Sequence, residues 1–374
     1  MAASERWERR LVSPAATPDV DRSGRGATWW SRSSGRFRRG RRVLVVAALT
    51  SALLVACGTT TPTAPVGTTS TSDRPAGSID GSPSGTTIAT TATTGPAGPD
   101  PRPSPATDAV VGGDRPVTVR LPAGRSASTS APAPLVLLLH GYQADGETMD
   151  GYLHLGDAAT AAGMFFAAPD GSVDRDGDRF WNATDACCDR FGSGVDDERY
   201  LAGLVDEIRG RWPIDPRRIY VVGHSNGGFM AYRLACAHAE VFAAIISFAG
   251  AATDPADACR PSQPVAVLQV HGTGDTVIHY DGGTLLTAPY PGARTSVERW
   301  VDHDGCDDRP DRIDEGAHRV VTDRPAAQVE SWSAGCRPGG HVELWTVPGA
   351  SHVPKLSDTF APDLVAFLLA HPKP

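Results

Sequence analysis

Val221-Val222-Gly223-His224-Ser225-Asn226-Gly227-Gly228 contains the pattern G-x-S-x-G. The bare pattern arises by chance in many chains, so its flanks decide its meaning. Before it, Ile219-Tyr220-Val221-Val222 is an apolar run that reads as a buried strand. After it, Phe229-Met230-Ala231-Tyr232-Arg233-Leu234-Ala235 has good helix propensity and no breaker. Strand, sharp turn, helix is the setting in which a serine at the tip keeps its hydroxyl exposed as a nucleophile. Glycines flank it because side chains there would collide with the neighbouring strand and helix.

A serine hydroxyl is a poor nucleophile unless a base is held beside it. In this strand-turn-helix setting the acid and then the histidine come later in the chain. Val265 to Val270 reads as a strand running into His271-Gly272-Thr273-Gly274-Asp275, and Val342 to Val347 as one running into Pro348-Gly349-Ala350-Ser351-His352. Asp275 and His352 thus lie beyond the C-terminal ends of strands, where open α/β sheets place their sites. Ser225, Asp275 and His352 are the candidate catalytic residues. Asp254, Asp257 and Asp281 are weaker rivals without a preceding strand end, and His271, His279 and His341 compete for the base. His271 is expected to bond locally, and His341 precedes its strand. The developing oxyanion needs backbone donors. The N–H of Asn226 is one candidate, and the N–H of Tyr142, after the apolar run Pro134 to Leu139, is the other.

The remaining pattern alternates strands with helices. Strands are expected at Pro116–Pro122, Pro134–Leu139, Met164–Pro169, Phe242–Ala249, Val265–Val270 and Val342–Val347. Helices are expected at Met149–Ala162, Asp196–Arg211, Ser296–Asp302 and Asp363–Ala370. Such alternation gives a mostly parallel central sheet with helices on both faces, here as one α/β domain over residues 110–374.

Charge divides the chain. Residues 1–56 hold 11 Arg against 4 acidic residues, and the rest holds 24 basic against 39 acidic ones. An acidic body argues against a nucleic-acid partner. The head reads as a signal peptide with a long basic extension: Arg36 to Arg42 is a positive region, and Val43 to Leu54 is an apolar run too short for a comfortable membrane span. An uncleaved membrane anchor is the other reading of that run. Leu54-Val55-Ala56-Cys57 resembles the lipobox of a bacterial lipoprotein signal, which implies lipidation of Cys57 and an extracytoplasmic, membrane-tethered or secreted body. Residues 57–109 are rich in Thr, Ser, Pro and Gly and cannot bury enough surface to fold, so they read as a disordered tether. The six cysteines after Cys57 suggest disulfides in an exported chain. Proximity and topology favour Cys236–Cys259 and Cys306–Cys336, leaving the adjacent Cys187 and Cys188 open. No C-x-x-C pair or His-rich spacing suggests a metal.

Several stretches together resemble a known family. They are Leu137-Leu138-Leu139-His140-Gly141, Phe180-Trp181-Asn182-Ala183-Thr184, Cys187-Cys188, Val195-Asp196-Asp197, Ile214-Asp215-Pro216-Arg217-Arg218-Ile219-Tyr220, the serine turn, His271-Gly272-Thr273-Gly274-Asp275 and Tyr280-Asp281-Gly282-Gly283. They are similar to the polyhydroxybutyrate depolymerase/feruloyl esterase type of secreted α/β-hydrolase esterases, over about residues 110–370. The resemblance implies the α/β-hydrolase fold, a cofactor-free serine esterase acting on polyester, feruloyl or acetyl esters, and Trp181 as a substrate-side aromatic, with a buried tryptophan an equal alternative. An ester substrate is the expected partner, and a monomer is the expected state. An envelope acyltransferase using the same three residues, or a silent envelope-binding lipoprotein, are the other readings. One departure stands out. The family commonly carries Gly-His-x-Trp-Pro-Gly at its histidine, where this chain has Ser351-His352-Val353-Pro354-Lys355, so the wall beside the histidine differs.

Overall fold

The structure is a computed structural model describing residues 109–125 and 131–374. The expected signal peptide, lipidated Cys57 and all of the tether but its last residue, Ala109, fall outside the described residues.

The chain opens with β1 (Ala109–Val111), β2 (Val117–Arg120) and β3 (Ala133–Leu139). Helices α1 (Gly146–Leu153) and α2 (Leu155–Ala161) lead to β4 (Phe165–Ala167) and to the short strands β5 (Ser172–Val173) and β6 (Arg179–Phe180). Next come α3 (Asp197–Arg211), β7 (Ile214–His224), α4 (Asn226–Ala237), β8 (Ala244–Phe248) and β9 (Ala266–Gly272). A hairpin of β10 (Gly282–Leu285) and β11 (Ala288–Pro291) precedes α5 (Ala293–Asp304). The chain closes with β12 (Arg312–His318), β13 (Ala327–Trp332), β14 (Val342–Val347) and α6 (Phe360–Ala370).

Ten strands form one sheet in the order β1-β2-β4-β3-β7-β8-β9-β14-β13-β12. The six from β4 to β14 run parallel, and antiparallel strands finish both edges. This is the α/β, mostly parallel sheet that the strand-helix alternation implies.

The period of two along each central strand builds two cores. Leu135, Leu137, Leu139, Val221, Ile245 and Val267 face one core with Leu201, Leu204 and Ile208 of α3, Phe229 of α4 and Trp300 of α5. Val136, Leu138, Val222, Ile246, Leu268 and Val270 face the other with Met149 of α1, Leu155 of α2 and Leu364 and Leu368 of α6. Strands buried on both sides read as unbroken apolar runs, which is why they were visible in the sequence.

Two expectations are corrected. The single helix expected at Met149–Ala162 is two helices, broken at His154, whose φ is 56°. Strands β12 and β13 were not anticipated. Arg312–His318 is polar and mostly exposed, so it carries no apolar alternation.

Disulfides join Cys236 to Cys259, Cys306 to Cys336 and the adjacent Cys187 to Cys188.

Candidate active site

The turn after β7 is held open by its glycines. A Cβ on Gly223 would strike the carbonyl of Gly227, and one on Gly227 would strike the carbonyl of Leu139 in β3. Ser225 between them has φ 54° and ψ −119°, sparsely populated for a residue with a side chain. Its N–H donates to the Phe248 carbonyl at 2.8 Å, and its own carbonyl accepts from Gly228 N–H and Phe229 N–H. The strained conformation is thus fixed from both sides.

Three strand ends bring the candidate residues together. Ser225 follows β7, Asp275 follows β9 and His352 follows β14. The Ser225 hydroxyl lies 2.9 Å from Nε2 of His352, and Nδ1 of His352 lies 2.7 Å from Oδ2 of Asp275. All three are buried, with Ser225 the most accessible at 7%. The other Asp275 oxygen accepts from the N–H groups of Val277 (2.8 Å) and Ile278 (2.9 Å). Burial works to raise the Asp275 carboxyl, but its hydrogen bonds with His271 and His352 outweigh it and hold the group well below the usual carboxylate range. The pair is therefore arranged as carboxylate and Nδ1–H imidazole, which leaves Nε2 to accept the serine proton.

Two of the rivals are engaged with other side chains. Asp254 pairs with Arg299, and His341 pairs with Glu343. His271 touches Asp275, 3.4 Å from Oδ2, but its Nε2 is closer to the carbonyl of Ile278, at 2.8 Å.

The loop carrying His352 is tied by its carbonyls. His224, the second residue of the G-x-S-x-G pattern, is fully buried and donates from Nε2 to the His352 carbonyl at 3.0 Å. Burial lowers its imidazole to about 3, so the ring is neutral and keeps a single N–H for that bond. Tyr152 of α1 donates its hydroxyl to the Pro354 carbonyl at 2.8 Å, and Thr322 N–H donates to the Lys355 carbonyl at 3.0 Å. These ties were not foreseen. Tyr152 and Pro354 are far apart in the chain, and no local pattern joins them.

Tyr142 and Asn226 follow adjacent strands. β3 pairs with β7, with Leu139 opposite Gly223. The N–H of Asn226 opens α4 and is one of the four that a helix leaves without an intrahelical acceptor. The Tyr142 side chain turns towards an acidic loop, donating to Asp174 at 2.8 Å and accepting from Arg190 at 3.0 Å.

Of the two readings of Trp181, the structure agrees with the buried one. It is fully buried, and its indole N–H donates to the His140 carbonyl at 3.1 Å. Its backbone N–H and carbonyl both bond to the Asn226 side chain, at 2.7 and 2.9 Å. A ring sealed beneath both loops has no face for a substrate; it supports the segment that carries Tyr142. Among the described residues, no group of His, Cys, Asp or Glu is arranged to hold a metal.

Comparison with known proteins identifies the lineage. Residues 109–322, more than half of the chain, match the family described as "Putative esterase". That stretch carries Ser225 and Asp275 and ends before His352. A 168-residue segment is 36% identical to "Putative esterase NocK" of Nocardia uniformis subsp. tsuyamanensis, covering 44% of this chain and 47% of the relative. Feruloyl esterase B of Piromyces equi is 28% identical over 246 residues, 64% of this chain and 42% of that protein. The bifunctional acetylxylan esterase/xylanase XynS20E of Neocallimastix patriciarum is 24% identical over 242 residues, 63% of this chain and 32% of that protein. The chain thus spans about a third to a half of the length of these relatives. Among solved structures, the acetyl xylan esterase from Aspergillus awamori superposes with a TM-score of 0.50 at 15% identity, covering 70% of this chain and 98% of that one. That likeness bears on the fold, which is the α/β-hydrolase fold. By the span of its family match, the chain belongs to the esterase family described as "Putative esterase".

Proposed function

We propose that the protein is a serine esterase that hydrolyses carboxylic esters through an acyl-enzyme on Ser225. The observation that carries the reading is the continuous chain of hydrogen bonds from Ser225 through His352 to Asp275, assembled at three strand ends. Nε2 of His352 takes the hydroxyl proton as the serine oxygen attacks the ester carbonyl. The oxyanion forms against the N–H groups of Tyr142 and Asn226. The imidazolium, steadied by Asp275, then returns its proton to the departing alcohol. Water repeats the sequence, releases the acid and restores the serine.

The substrate class of the reading is a polyester, feruloyl or acetyl ester; two of the relatives bear the names feruloyl esterase and acetylxylan esterase. With Val353-Pro354-Lys355 beside His352, the wall lacks the tryptophan found there in the resembling family. We therefore favour small or flexible acyl groups over aromatic ones. The location of the reading is outside the cytoplasm, as a monomer tethered through lipidated Cys57, in keeping with three disulfides in the described residues.

The test is a p-nitrophenyl acyl ester panel alongside methyl ferulate, with a fluorophosphonate probe. Ser225→Ala should abolish probe labelling and reduce ester turnover by at least about a thousandfold. Turnover retained in Ser225→Ala would refute the mechanism, and a clear preference for methyl ferulate would refute the acyl assignment.

A further inference from the structure

Beyond the three candidate residues, a buried polar chain leads from the serine's own helix to the acid. Tyr232 of α4 is 1% exposed, and Gln269 and His271 of β9 are 0% and 1% exposed. The Tyr232 hydroxyl donates to Oε1 of Gln269 at 3.0 Å. The Gln269 amide nitrogen donates to the Gly250 carbonyl at 3.0 Å and lies 3.0 Å from Nδ1 of His271. Nε2 of His271 lies 2.8 Å from the Ile278 carbonyl and 3.4 Å from Oδ2 of Asp275.

The acceptors settle every hydrogen in this chain. A carbonyl can only accept, so the Gln269 NH2 must face Gly250, and its second hydrogen then points at His271 Nδ1. Nδ1 is thereby an acceptor. The Ile278 carbonyl, again acceptor only, requires the hydrogen of His271 on Nε2. The ring is held as one neutral tautomer, specified from both sides.

We propose that Gln269 and His271 are positioning residues for Asp275. Gln269 selects the His271 tautomer, and the single N–H of His271 closes the Asp275–Ile278 turn while lying alongside Oδ2. Residues 269 and 271 sit two apart on β9, so both point to one side of the sheet, towards α4. In the other tautomer, a lone pair would face the Ile278 carbonyl and the Asp275 carboxylate. The turn would then lose its closing bond. That lone pair would repel Oδ2 of Asp275, the oxygen that meets His352. Neither Gln269 nor His271 touches a reacting atom. Their effect is on alignment, for which a displacement of about 1 Å costs on the order of a hundredfold in rate.

The proposal rests on the esterase reading of the site, and its test separates the two. In the full-length chain carrying 15N-labelled histidine, the ring nitrogen shifts of His271 should report Nδ1 unprotonated and Nε2 protonated at neutral pH. This measurement needs no turnover. Gln269→Leu should alter that pattern and lower kcat for p-nitrophenyl acetate roughly 10- to 100-fold with KM within about twofold. His271→Phe should do the same to kcat, and His271→Gln, which keeps an N–H donor, should recover part of the loss. A protonated Nδ1 in the unsubstituted protein overturns the proposal. So does a kcat within about twofold of the original in folded Gln269→Leu and His271→Phe. If His271→Phe does not fold, the wild-type ring shifts together with His271→Gln decide. Turnover surviving Ser225→Ala would remove the esterase reading and leave the tautomer result standing.

Discussion

Two buried aspartates show how surroundings divide one functional group into two roles. Asp275 is surrounded by donors and stays ionised. Asp304, at the end of α5, is fully buried, and the structure gives its Oδ1 one backbone donor, Val265 N–H at 3.2 Å, while Oδ2 has no partner among the described residues. Burial raises its carboxyl to about 7, only partly offset by hydrogen bonds and the nearby Arg337 and Lys373 charges. The folded state therefore holds this proton more tightly than the unfolded chain, whose carboxyl titrates near 3.8. Asp304 thus favours folding below about pH 4, and that advantage is lost as pH rises towards 7. Asp304→Asn should accordingly be more stable than the unsubstituted protein at pH 8, by about 1–3 kcal/mol, with the gap closing below about pH 5. Urea unfolding at pH 5 and pH 8 measures this, and a variant less stable at pH 8 would contradict it.

The loop after β14 is the element that fixes His352. Three of its carbonyls, at 352, 354 and 355, are held by donors from β7, α1 and the segment after β12. A loop so fixed can place His352 without the tryptophan that the resembling family carries there. Tyr152→Phe removes one of these bonds and leaves the ring. It should lower kcat about 3- to 10-fold at unchanged KM, with stability down by about 1 kcal/mol. Steady-state kinetics and thermal melting separate the two effects, and an unchanged kcat would show the tie to be idle. Such ties mark where sequence reading ends. Ser225, Asp275 and His352 were legible because each follows a strand visible as an apolar run. Tyr152 and His224 act through hydrogen bonds to partners that no period announces, across more than a hundred residues, whereas the local bonds of His271 agree with the expectation for it. Trp181 stayed open between substrate and packing because a motif names a residue without saying whether its face meets solvent. The break at His154 had no signal either, since neither glycine nor proline stands there.

At the scale of the whole molecule, two disulfides staple connections on the periphery. Cys306–Cys336 closes a separation of 30 residues, joining the end of α5 to the turn between β13 and β14. Removing it as Cys306→Ser/Cys336→Ser should cost about 3–4 kcal/mol by the entropy of the freed loop. Differential scanning calorimetry with and without the pair checks this, and an unchanged melting temperature would place its effect elsewhere.

The in-register pairing of β9 with β14 also makes the site a gauge of assembly. Ser225 and His352 are 127 residues apart in sequence and meet only when β7, β8, β9 and β14 are all in register. A one-residue slip of β14 would turn its side chains to the opposite face and carry His352 away. Reactivity of Ser225 towards a fluorophosphonate should therefore behave as an all-or-none readout of the sheet. During refolding it should emerge together with the last parallel strand, after the helical signal has largely returned. Labelling that precedes β14 pairing, followed by hydrogen exchange, would show that serine reactivity does not need the completed sheet.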